Sequence, residues 1–453
     1  MAETDPDLAA GAHTRAATGT IPPRRMALLF TVMLVTAAGN TAMQSVMPSI
    51  GTALRVDDVW ISLAYSWSAL LWVVCAPIWA RRSDRRGRKA MMALGLAGFV
   101  VSMLLCGLSL YAGLNGWLSA LWTLIAFAAA RSLYGGFGSA APPAVQAYVA
   151  ARTPRSERTQ ALSLIASSFG LGTVIGPALA PLMVLPLLGL GLTGPFICFA
   201  VIGLAALVVL RLHLPNDEPQ FAAKAGPTPY SSGSGAPSDP AAESEDESAL
   251  TGEPPRLSWL DARLRPWIIA GFFGGHAQAM VLGVSGFLVL DRLGLRETPA
   301  EGAGPVGLVL MSGAIATLLA QWGLIPRFDL GPRAATLWGI ATAAFGTLVL
   351  GLAGSLHTIA LGYAIASLGF GLFRPGTTAG TSLAVTRAEQ GQASGIVASL
   401  AGASYIYAPA LGVWLYGISD WLGFGLMMTL CLIVLILGWR GLQADAALTR
   451  ERG

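Results

Sequence analysis

Charge is what this sequence has least of. Of its 453 residues only 11% are Asp, Glu, Lys or Arg, less than half of the roughly one quarter usual in a soluble domain. So few charges cannot cover a water-facing surface, which excludes a soluble globular fold for most of the chain. Acids are scarcest inside the apolar stretches: none lies deep in one, and Asp57, Asp58, Asp291, Glu301 and Asp420 all sit near the ends. Histidine is limited to His13, His213, His276 and His357. The cysteines, Cys75, Cys106, Cys198 and Cys431, each stand alone in an apolar run, where a small thiol packs as a hydrophobe. With no CxxC, metal-ligand spacing or clustered nucleophile and base, the sequence supports no disulfide, no metal, no cofactor and no enzyme.

What is abundant is apolar. Hydrophobic residues make up 54% of the chain and the mean hydropathy is +0.62. Apolar runs near 26–48, 59–80, 90–112, 117–140, 161–188 and 194–211 are each about as long as the roughly 20 residues that a spanning helix needs. Six more follow near 264–290, 304–326, 333–353, 356–384, 392–418 and 421–440. The polar first 25 residues lack the apolar core of a cleaved signal peptide. Twelve membrane-spanning helices are therefore expected, in an all-α membrane protein.

Basic residues test that count, because they stay preferentially on the cytoplasmic side. One set of loops holds Arg24 and Arg25, the cluster "RRSDRRGRK" from Arg81, then Arg152, Arg155, Arg158, Arg263, Arg265, Arg327, Arg333, Arg387 and Arg440. The alternate set holds only Arg55, Arg292 and Arg296. Both termini are expected to be cytoplasmic, in a plasma (inner) membrane. The net charge of +4 reflects this asymmetry and requires no nucleic-acid partner.

Residues 216–256 are rich in Pro, Ser, Gly, Ala and acids, a composition unable to bury enough apolar surface to order itself. The expected organisation is a tail at 1–25, a six-helix bundle at 26–212, a flexible linker at 213–262, a second bundle at 263–441 and a tail at 442–453. The halves repeat each other. "RSERTQALSLIASSFGLGTVIGPALA" from Arg155 and "RAEQGQASGIVASLAGASYIYAPALG" from Arg387 lie 232 residues apart and agree at ten of 26 positions, Gly170 with Gly402 and Pro177 with Pro409 among them. Upstream, "GFGSAAP" from Gly136 echoes "GFGLFRP" from Gly369. Two pseudo-symmetric bundles of six helices are implied.

Between the second and third runs stands "ARRSDRRGRKAMMALG" from Ala80, similar to the loop G-x-x-x-D-R-x-G-R-K of the major facilitator superfamily. Asp84, Arg85, Gly87, Arg88 and Lys89 match that pattern, and Ala80 replaces its first glycine. The resemblance implies a conformational latch at these residues and two rocking bundles around one central site. "ARSLYGGFGSA" looks like the family's R-x-x-x-G-x-x-G-A, with Arg131, Gly135 and Gly138 in place. "GTVIGPALAP" is similar to the antiporter motif of drug:proton exporters at Gly172, Gly176 and Pro177, but Ala180 and Pro181 stand where that motif has two glycines.

A cation inside a span normally faces a cavity or a partner, so Arg131 and Arg374 are candidates for the substrate or proton path; Arg131 could alternatively snorkel from an outer end. Arg374 aligns with Ala141 in the internal repeat, so scaffold geometry does not explain it. Asn40 and Gln44 share one helix face. They, with His276 and Gln278, lie in spans that line the cavity in this superfamily. Tyr65, Trp67, Phe272, Phe273, Tyr405 and Tyr407 are candidate apolar contacts. The resemblance implies proton-coupled efflux of amphipathic or hydrophobic compounds by a monomer in the lipid bilayer. The alternative is transport of a small organic anion or metabolite, by export or uptake, using Arg131 and Arg374. A polytopic enzyme or a sensor is the more distant reading.

Overall fold

In hydrocarbon each backbone N–H and C=O must find its partner within its own segment, so each apolar run becomes a helix. The computed structural model describes residues 21–153, 155–184, 189–216, 257–259, 261–385 and 389–450. The first six spans are Pro23–Ala53, Asp58–Arg86, Arg88–Leu114, a fourth in two pieces (Ala120–Phe137 and Ala141–Arg152), Arg155–Leu179 and Gly194–His213. The second six are Arg265–Arg292, Pro299–Leu318 extended to Phe328, Pro332–Leu352, Leu356–Leu383, Gln390–Ile418 and Asp420–Gly441. Residues 217–256, most of the expected linker, lie outside the described residues.

Among the described residues eleven helices are long and apolar enough to cross a membrane. The fourth span is the exception: Arg131 interrupts its apolar run, and a tight turn at Gly138–Ala140 divides it. The turn falls just ahead of Pro142 and Pro143, which have no N–H to extend a helix and instead open the next one. The span therefore starts at Ala120, later than expected, and its second piece runs well past residue 140. The eighth span carries a wide π-helical stretch, Leu319–Leu324, before Pro326. A proline ring clashes with the carbonyl four residues earlier, here Trp322, and widening the helix relieves the clash. The expected tail at 442–453 contains a short helix, Asp445–Arg450. Asp445 accepts from the backbone N–H groups of Arg333 at 2.7 Å and Ala334 at 3.2 Å, capping the ninth span.

Small residues let the spans approach closely. The first span lies along the fifth, and the seventh lies along the eleventh in the same way. Across the two halves the second span meets the eleventh and the fifth meets the eighth. The repeat-related glycines mark this pseudo-twofold relation. A Cβ at Gly170 would meet Leu318 of the eighth span at 2.9 Å, and one at Gly402 would run into Val73 of the second.

The bundle end where Pro23 begins the first span is the near end, and the opposite end is the far end. Among the described residues, close contacts between the halves run from mid-depth to the far end. There Gly286 lies against Pro48, Gly302 against Ser49, and Gly307 against Pro177 and Pro181.

Candidate functional site

Arg131 stands on the fourth span, only 3% exposed. Its Nη2 donates to Asn40 Oδ1 of the first span at 2.5 Å, and its guanidinium lies 4.5 Å from the centre of the Tyr134 ring. Tyr134 is held between Trp72, 5.2 Å away, and Phe99, 5.9 Å away. The Nε and Nη1 groups of Arg131 are buried without a hydrogen-bond partner among the described residues. A cation in the middle of a span costs about 2.5–3.5 kcal/mol on insertion scales, and no carboxylate among the described residues offsets it. This is not the snorkelling arginine that the sequence also allowed: the side chain turns into the bundle, where Asn40 fixes its plane.

Between Val32 and Gly51 the first span is buried except at Leu34, Asn40, Thr41 and Gln44, which keep partial exposure. Asn40 and Gln44 thus share a half-open stripe, and Gln44 makes no hydrogen bond among the described residues. Tyr65, from the second span, donates to the Met43 carbonyl at 3.4 Å on this same first span. Trp67 instead faces outward and donates to Ser132 at 2.7 Å.

His276, on the seventh span, is 5% exposed. Its Nδ1 lies 2.7 Å from the Phe272 carbonyl and 3.3 Å from Ser404 Oγ of the eleventh span. Rings of Phe272 and Tyr407 flank it at 4.1 and 5.0 Å, and Nε2 has no partner among the described residues. Toward the near end a cleft of about 370 Å³ opens between the seventh and eleventh spans, lined by Trp259, Ile268, Phe272, Phe273, Leu400 and Ala403 among others. Gln278 is half-buried without a hydrogen bond among the described residues. Arg374 is also half-buried, and no hydrogen bond, ion pair or ring contact joins its side chain to Arg131, Asn40 or His276. Its repeat partner Ala141 packs against Gly95 with no room for an arginine.

In the loop between the second and third spans Gly87 has φ +87°, a conformation that side chains with a Cβ rarely adopt. Arg88 is 2% exposed and Lys89 is half-buried. The side chains of Asp84 and Arg85 lie outside the described residues. Gly172 and Gly176 press the fifth span onto Ala37, Ala38 and Thr41 of the first. Thr41 donates to the Gly172 carbonyl at 3.3 Å, and Pro177 continues the seam to Gly307 in the other half.

One group of residues is not among the sequence-based candidates. At the far end Arg296 grips Asp58 of the first half through two hydrogen bonds of 2.8 and 2.6 Å, and reaches Thr52 at 3.2 Å. The same guanidinium holds Asp291 at 2.7 and 3.1 Å, and Asp291 accepts from Tyr416 at 2.9 Å. Asp58 first, with Asp291, raises the proton affinity of Arg296 above its ordinary value, so it stays a cation. At the near end Arg263 pairs with Glu389 at 3.0 and 3.1 Å and with Asp261, both within its own half.

Two matched six-helix bundles, closed against each other at one end and carrying isolated polar groups inside, define a polytopic membrane protein of the two-bundle transport class. The Major Facilitator Superfamily family model matches residues 29–329. Over 422 residues the chain is 28% identical to a probable actinorhodin transporter of Streptomyces coelicolor, covering 84% of this chain and 69% of that one. It is 26% identical over 177 residues to the multidrug resistance protein MdtG of Proteus mirabilis, covering 37% of this chain and 41% of the relative. The fold superposes on a bacterial homologue of the human lysosomal transporter Spinster, in an inward-facing and occupied conformation, with a TM-score of 0.68 at 13% identity, over 93% of this chain and 96% of that one. The chain belongs to the major facilitator superfamily, and it is a transporter rather than an enzyme.

Proposed function

We propose that the protein exports small amphipathic or hydrophobic compounds by alternating access, driven by protons, with the near end and both termini in the cytoplasm of a plasma (inner) membrane. The observation that carries this reading is closure of the halves at the far end, with an apolar cleft on the near side of the second half. The halves are sealed at the far end by apolar contacts and the Arg296 to Asp58 bridge, while the apolar cleft beside Phe272 opens toward the near end. An apolar compound taken from the cytoplasm or the inner leaflet meets aromatic rings first. The similarity to a probable actinorhodin transporter and to a multidrug resistance protein supports export of such compounds.

In this reading Asp84, Arg85, Gly87, Arg88 and Lys89 latch the near end shut in the opposite state, and Gly172, Gly176 and Pro177 form the seam on which the fifth span moves. With no carboxylate deep in any span, His276 and the rim acids are the candidate groups to link protons to opening. Purified protein in liposomes with an imposed pH gradient tests this: dye-like amphipathic cations, neutral compounds and anions are offered and flux is measured. Gradient-dependent movement against concentration is expected; absence of flux for every compound overturns the reading. Asp84→Asn is expected to slow turnover far more than it weakens binding, and unchanged turnover would contradict the latch.

A further inference from the structure

We propose that Arg131 and Asn40 form an anion-recognition site, and that the transported compound is an aromatic carboxylate whose negative charge completes the ion pair the protein lacks. This rests on the transport reading above and names its substrate class.

The guanidinium is buried, yet its Nε and Nη1 groups have no partner among the described residues. Its one polar contact, Asn40, is a neutral amide that orients Nη2 without cancelling charge. No Asp or Glu anywhere in the sequence lies deep in a span, so no resident acid can serve as counterion. The Tyr134 ring face offsets only part of the cost of a buried cation; a charge partner with strong hydrogen bonds offsets most, and a carboxylate supplies both in the geometry that a guanidinium fork recognises. The approach is the half-open stripe of the first span, where Asn40 and Gln44 keep partial exposure. Gln44, one turn from Asn40, adds an uncommitted amide. The aromatic part of the ligand is indicated by the two half-buried rings of the second span, Trp72, which packs on the Tyr134 ring beside the cation, and Tyr65, which reaches the first span at Met43.

The test compares 2-naphthoate with its neutral isostere 2-naphthamide, binding each to purified full-length protein in lipid nanodiscs. Wild type is expected to prefer the carboxylate by about tenfold or more, the range for hydrogen bonds to a charged group. Arg131→Gln should abolish the preference. Asn40→Asp should abolish it too, because it places a resident carboxylate on the guanidinium and leaves a second anion nothing to neutralise. If Arg131→Gln does not fold, Asn40→Asp alone decides, since it keeps the cation and forms a pair. Equal wild-type affinity for the two compounds, or an undiminished preference in Asn40→Asp, overturns the proposal. Flux of cations and neutral compounds alongside equal binding of the isosteres would sink this inference and leave export standing. A carboxylate preference without flux of any compound would overturn export and leave Arg131 and Asn40 as a binding site alone.

Discussion

Two arginines in this protein have opposite surroundings. Arg296, at the far rim, holds two carboxylates, and one of them, Asp58, belongs to the other half. Arg131, inside the first bundle, has one neutral amide and the face of a ring. A cation with its counterions already in place can only fasten; its pairs hold the two halves in one arrangement and must part for the other. A cation without them is costly at rest, and a ligand that brings the missing charge recovers that cost. Closure and recognition are thereby assigned to different arginines, one at the far rim and one buried inside the first bundle.

The comparison breaks most visibly at the rim. Arg296→Glu would set three carboxylates together where two now share a cation. The bridge is partly exposed, so allowing for screening its loss is worth roughly 1–2 kcal/mol, about five- to thirtyfold in the ratio of open to closed far ends. Spin labels at Asp57 and Glu297, both exposed, should report a longer distance between the halves in double electron–electron resonance. Asp58→Arg combined with Arg296→Asp should restore it. An unaltered distance in Arg296→Glu would show that apolar contacts alone keep the far end shut. Glu389→Gln at the near end sharpens the contrast. Its partner Arg263 lies in the same half, so thermal stability should fall by about 1 kcal/mol or less while the Asp57 to Glu297 distance stays put.

How much of this was legible depends on range. Twelve apolar runs and a repeat at fixed offset are local or periodic signals, and both survive in the structure. Gly170 and Gly402, aligned by sequence alone, touch the opposite half at corresponding spans. The break in the fourth span was written in Pro142 and Pro143 but masked by the continuous hydropathy around them. Arg131 and Asn40 each stood out as polar groups in apolar runs; that they meet could not be read, since helix rotation decides it. The rim clasp was missed although its parts were visible. Arg292 and Arg296 are among the few cations on the side where cations are disfavoured, and Asp57, Asp58, Asp291 and Asp420 gather at that same end. Scarce cations and clustered acids at one rim are a pairing signal that charge counting by loop overlooks.

A smaller effect separates the two carboxylates on Arg296. Asp291 also accepts from Tyr416, so Tyr416→Phe leaves the bridge to Asp58 intact and removes only a support of its neighbour. A neutral donor to a charged acceptor near a wet rim contributes about 1 kcal/mol. The same spin-label pair should widen its distribution without shifting its mean. A shifted mean would place the controlling contact at Asp291 and the eleventh span.

The smallest effect lies at the near end and follows from pH. The Asp261 carboxyl accepts from the Arg263 side chain and from the Arg263 backbone N–H, which holds it below its ordinary value of 3.8. A carboxylate with a lowered pKa favours the folded arrangement above its unfolded value, and that contribution is lost as pH falls through the folded one. At neutral pH the cluster is therefore complete, and it loosens only in acid below the usual aspartate range. The amide proton of Arg263, followed by NMR in selectively labelled protein, should titrate with a midpoint under 3.8. At neutral pH, where the rim acids stay charged, Asp261→Asn should leave the Asp57 to Glu297 distance unchanged, because the cluster is contained in one half. A midpoint at the ordinary value would mean that Arg263 serves Glu389 alone, whereas a coupled change at the far rim would make the near-end cluster a second fastening between halves and end the division between the two ends.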